Sequence, residues 1–93
     1  MSDPQSRSLK IDSVEPSPTP VGWEGTLTIY GHDFGHKEIV DIEGREPRIV
    51  EWTPSEIKVE ITKAFTDTPG AKRLYVHNLE GDFDETKWVV EKR

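Results

Sequence analysis

The chain has 93 residues, with 12 Lys plus Arg against 18 Asp plus Glu and a formal net charge of -6. That length fits one domain with a thin core, leaving no room for an active site buried behind a lid. The acidic balance argues against a nucleic-acid groove or an anionic lipid surface, because phosphate binding draws on clustered cations, and the lack of cysteine excludes disulfides and thiolate chemistry.

The N-terminus, Met1 to Lys10, is polar and has no apolar signal region, and nowhere do 18 apolar residues run together. The first eight residues read as a flexible leader to a single domain over residues 9–93. Val plus Ile number 15 while Leu plus Ala number 6, and stiff β-branched side chains suit a pleated surface better than a helix. The chain therefore reads as all-β.

In chain order, Leu9 to Val14 is the first candidate strand. Pro16-Ser17-Pro18-Thr19-Pro20 follows; three ring nitrogens without a donor keep it out of a central strand, so it is a connection near a sheet edge. Thr26-Leu27-Thr28-Ile29-Tyr30 alternates and places Leu27 and Ile29 inside. Gly31 and Gly35 then bracket Phe34, so that the chain turns with positive φ and drops the ring into the end of the core. Ile39 to Glu43 and Arg48 to Trp52 are short strands. Glu56 to Ile61 gives the clearest alternation, with Ile57, Val59 and Ile61 inward and charges outward. Arg73 to His77 repeats that period with Leu74 and Val76 inward. Asn78 and Gly81 enclose a turn, in which both residues suit left-handed conformations, before the last strand, Glu85 to Lys92. Seven short strands with breaks roughly every 8 to 12 residues predict a two-sheet β-sandwich.

The stretch Ser13-Val14-Glu15-Pro16-Ser17-Pro18, then Gly22 and Gly25-Thr26-Leu27-Thr28-Ile29-Tyr30-Gly31-His32-Asp33-Phe34-Gly35, resembles the opening of IPT/TIG immunoglobulin-like domains. Pro69-Gly70 leading into Leu74-Tyr75-Val76-His77-Asn78, with Gly81 following, continues the likeness, which covers about residues 9 to 91. The resemblance implies an immunoglobulin-like sandwich of the E-set type. It also implies an accessory module, such as those of receptors and of bacterial surface or secreted carbohydrate-active proteins.

The chemistry is sparse. His32 and His36 lie in a glycine-flanked loop where their spacing fixes no common face, so with Asp33 they read as a solvated loop before a zinc site, which needs three or four converging ligands. Glu80, Asp82 and Asp84 crowd one hairpin and are weak calcium candidates, without the ordered ligand ladder of a calcium loop. No nucleophile elbow, zinc-protease motif or phosphate-cradling loop is present, and no cofactor is expected. Trp88 alternates within the last strand and reads as core. Trp23, in a glycine-flanked loop after three prolines, Trp52, closing a strand, and Tyr30 are the candidate contact residues, since aromatic rings bring large area at low entropic cost. The acidic charge is suited to orienting a basic partner.

These observations favour a noncatalytic interaction or spacer domain of a cell-surface or secreted multidomain protein, meeting a protein or glycan surface without nucleic acid and without membrane insertion. A second reading is a standalone decoration or assembly protein of a virus particle or larger complex.

Overall fold

The computed structural model describes residues 9–92; the leader read over residues 1–8 lies outside them. Eight strands, β1 (Lys10–Glu15), β2 (Thr19–Pro20), β3 (Gly25–His32), β4 (Ile39–Ile42), β5 (Arg48–Trp52), β6 (Glu56–Ile61), β7 (Gly70–His77) and β8 (Phe83–Glu91), are joined by one helical turn, α1 (Lys63–Thr66). They form two four-stranded sheets in the orders β1-β3-β6-β5 and β2-β8-β7-β4. All pairings are antiparallel except that of β2 with β8. The all-β two-sheet sandwich expected from the alternation, in the immunoglobulin-like form that the resemblance implied, is the fold that forms.

The core is the set of inward positions that the period of two selects. Leu27 and Ile29 on β3 and Ile57, Val59 and Ile61 on β6 line one sheet; Leu74 and Val76 on β7, Trp88 and Val90 on β8, and Val40 and Ile42 on β4 line the other. Each is at most 1% exposed. Burying apolar area at about 25 cal/mol per Å² makes this layer the main favourable contribution to the fold. Trp88 also needs a partner for its indole N–H, and the proline connection supplies it: Nε1 donates to the Pro16 carbonyl and to the Thr19 hydroxyl, both at 3.0 Å.

Two elements depart from the expected layout. Thr19–Pro20 forms a two-residue strand within the stretch read as a connection, pairing parallel with Val90 and Glu91. It lies at the edge of its sheet, where a proline leaves no ladder partner unsatisfied. The turn α1 had no helical period to announce it. It is held from outside, by the Thr66 hydroxyl donating to the Trp23 carbonyl at 2.9 Å and by Gly22 N–H donating to the Thr66 carbonyl at 2.9 Å.

The Gly31 to Gly35 corner also works differently from the expectation. Phe34 is fully buried and fills the end of the sandwich as expected. The positive φ values belong to Asp33 (57°) and Gly35 (69°), not to Gly31. Gly31 is small for another reason: a Cβ there would lie 2.0 Å from the Lys10 carbonyl oxygen and 2.7 Å from the Phe34 ring. The Asn78 to Gly81 turn divides in the same way. Gly81 has φ 92°, whereas Asn78 is there for its side chain, 2% exposed, donating from Nδ2 to the Phe34 carbonyl at 3.1 Å and accepting from Asp82 N–H at 2.9 Å.

The register fixes two poles. Lys10 pairs with His32, and the β7–β8 hairpin is tied to Phe34 through Asn78, so the start of β1, the Phe34 corner and this hairpin share one pole. Val90 pairs with Gly70 and Glu91 with Pro20 at the other.

Candidate interaction surface

The three aromatic residues singled out from the sequence do not form one surface. Trp23 lies at the far pole, half-buried against the core, with its ring over Gly25, where an added Cβ would come within 2.7 Å of it. Trp52 lies at the hairpin pole, half-buried, its ring edge-on to Phe34 at 6.4 Å between centroids. Its Nε1 donates to the Gly35 carbonyl at 2.9 Å. Tyr30 stands on the outer face of β3, half-buried and opposite Glu56.

The ionic candidates also separate. His32 faces Asp12 at 3.6 Å, while His36 pairs with Glu80. Glu80 additionally accepts from His36 N–H at 3.1 Å, and Asp84 turns the other way to accept from Ile11 N–H at 2.9 Å. Among the described residues no group of three or more His, Asp or Glu side chains is placed to hold a metal ion. The His36 hydrogen bonds hold the Glu80 carboxyl below its ordinary value of 4.5.

A contiguous aromatic surface does form, on the outer face of β7 and β8. Tyr75 and His77 project from alternate positions of β7, and the register sets Phe83 directly across from His77. The Tyr75 and Phe83 centroids are 5.7 Å apart, those of Tyr75 and His77 6.2 Å, and those of His77 and Phe83 6.5 Å, with planes inclined by 31°, 23° and 9°. Phe83 is 58% exposed, and Leu79 at the hairpin tip 64%. Arg73, two residues before Tyr75, places its guanidinium carbon 5.7 Å from the tyrosine centroid. It donates to Glu85 at 2.8 Å, and that bond holds its pKa above the ordinary value. Across the neighbouring strands, Tyr75 is flanked by Asp41 and Glu85, and His77 pairs with Glu38.

Sequence reading passed over this cluster because each member looks unremarkable alone. Tyr75 and His77 occupy the outward positions of a strand that was expected. Phe83 lies before the predicted start of the last strand, so its partnership with His77 was hidden. A hairpin counted symmetrically outward from the Asn78 to Asp82 loop would have paired residues 77 and 83.

The family model for the IPT/TIG domain matches residues 9–79. The chain belongs to this family. IPT/TIG domains are in general immunoglobulin-like, noncatalytic interaction domains, and the hairpin strand that carries Phe83 lies just beyond the matched stretch. Over the whole IPT/TIG fold, the chain is similar to a crystal structure from Bacteroides thetaiotaomicron described as "Putative phosphatase", with TM-score 0.62 and 18% identity. The match takes in 95% of this chain and 19% of that one, and at such identity it shows the fold alone. A shorter likeness, 42% identity over 36 residues, links it to a DNA polymerase IV of Corynebacterium diphtheriae. It covers 39% of this chain and 8% of the polymerase. In both cases the shared part is a small fraction of a much longer protein.

Proposed function

We propose that this IPT/TIG domain is a noncatalytic interaction module of a larger cell-surface or secreted protein, and that it docks its partner on the outer face of β7 and β8. The observation that carries this reading is the outer-face cluster in which Phe83 is exposed beside the half-buried Tyr75 and His77. A phenylalanine left 58% exposed on a strand adds less to stability than a buried one, whereas rigid aromatic rings are favoured contact residues in interfaces. The noncatalytic part is supported by the ionic groups, which are spent in separate pairs on the surface and are not gathered in a desolvated pocket. Glycan contact through Trp23 and Trp52 draws less support, because the two rings sit at opposite poles and are packed on the core.

Hydroxyl-radical footprinting of the protein in its native source, compared with the purified 93-residue chain, tests this reading. Tyr75, His77 and Phe83 should be protected in the native material. Equal labelling in both samples, or protection confined to the β1-β3-β6-β5 face, would refute it.

A further inference from the structure

We infer that the partner docked on this face is a basic, extended segment of a protein, and that it sets an arginine or lysine side chain against the Phe83 ring. The inference rests on the docking role proposed above and names what fills it.

The surface already contains one instance of the recognition. Arg73 lies over the Tyr75 ring and is held there by the Glu85 carboxylate. The attraction is that of a cation for the negative face of a ring, strengthened by a carboxylate that fixes the guanidinium in a planar hydrogen bond. Among the described residues this is the only cation–ring contact. One step along the hairpin lies a second ring, Phe83, 58% exposed and 6.5 Å from the His77 ring, while the nearby Glu38 carboxylate is already engaged by the His77 imidazole. Among the described residues no Lys or Arg side chain lies over the Phe83 ring. Lys87 faces Arg73 from the opposite strand, and Lys37 lines a separate groove with Ile49 and Trp52 on the β5 side.

On the sheet Arg73 and Lys87 stand beside Glu85 and Asp41, whereas the hairpin pole is predominantly acidic. Beyond Phe83, the hairpin tip borders an open hollow of about 370 Å³ whose lining includes Asp33, Glu80 and Asp82. On the sheet, Asp41 flanks Tyr75. With a net charge of -6 over the chain, this pole attracts a cationic segment from a distance and repels an acidic one. An extended backbone suits the site, because successive outward side chains of a strand recur at about 7 Å, close to the spacing of these rings.

The test is a titration of the ¹⁵N-labelled 93-residue chain with a ten-residue peptide of alternating arginine and serine, followed by amide chemical shifts at low and high salt. Parallel titrations use the same peptide with glutamate for arginine and a neutral cello-oligosaccharide. The expected result is binding of the arginine peptide alone, with shifts centred on Tyr75, His77 and Phe83. Affinity should fall about 2- to 30-fold in Phe83→Ala, the range of one cation–ring contact, and be retained in Phe83→Trp. Phe83 is exposed, so the alanine variant should keep the native spectrum. Shifts spread over acidic strands elsewhere, undiminished affinity in Phe83→Ala, or equal binding of the glutamate peptide or the oligosaccharide would overturn the inference. If the footprint is found in native material while the arginine peptide fails, the docking face stands and only the basic partner falls.

Discussion

The Trp52 indole donates to the Gly35 carbonyl across 2.9 Å, so the last residue of edge strand β5 holds the corner that buries Phe34. Neither residue is near the other in sequence, and the bond joins the edge of one sheet to the connection between the two. Trp52→Phe should keep the edge-on contact with Phe34 and lose only this bond, at about 1 kcal/mol. Trp52→Ala should cost roughly 3 kcal/mol, since the ring contact goes as well. Urea denaturation of the two variants, with unchanged slopes, checks the difference.

Asn78 is the buried polar residue on which the hairpin depends. Asn78→Ala leaves the Phe34 carbonyl and the Asp82 N–H without their partner and should destabilise by about 1 to 3 kcal/mol. Asn78→Asp is the sharper probe, because it sets a carboxylate against a carbonyl oxygen in a site 2% exposed. Burial raises the folded pKa of the introduced group above its unfolded value, so its folded state is favoured at low pH and is progressively lost as pH rises. The gap in stability between wild type and Asn78→Asp should therefore widen from pH 4 to pH 7 in urea melts.

Gly31 permits the close approach of β1. Its Cβ would meet the Lys10 carbonyl oxygen at 2.0 Å, and backbone cannot yield as a flexible side chain can. Gly31→Ala should cost about 3 kcal/mol or more through displaced β1 and a displaced Phe34 ring. Hydrogen exchange should show β1 amides losing protection ahead of those of β6 and β7.

Acidification should reveal the His36–Glu80 pair. Hydrogen bonds from His36 depress the folded pKa of Glu80 below 4.5, so the stability it contributes is present above that value and is lost as pH falls through the folded pKa. In Glu80→Gln this part of the acid dependence should vanish, giving a flatter profile of urea midpoint between pH 5 and pH 3 than wild type. Identical profiles would show that the pair contributes nothing to folding.

The layered fold was legible because it rests on a period of two. Leu27, Ile57, Val59, Leu74 and Val76 could be placed inward from their neighbours alone, and Phe34 and Trp88 declared themselves by size. The roles of Gly31 and Asn78 were not legible, since one is set by a strand 21 residues away and the other by a carbonyl 44 residues away. The interaction surface was hidden for a related reason. Rings at Tyr75, His77 and Phe83 acquire meaning only when the register brings two strands together, and register depends on the hairpin loop as well as on the strands' own hydrophobic pattern.

The two poles also bear on mechanics. Among the described residues, the chain enters beside His32, where β1 begins, and leaves beside Pro20, where β8 ends. A pull applied to the two ends therefore runs along the strands, and it loads the β1–β3 ladder in shear, all its hydrogen bonds at once, where a hairpin pulled from one end would open bond by bond. Tension through a polypeptide carrying this domain would meet a link that resists stretching while its β7–β8 face stays turned to the side.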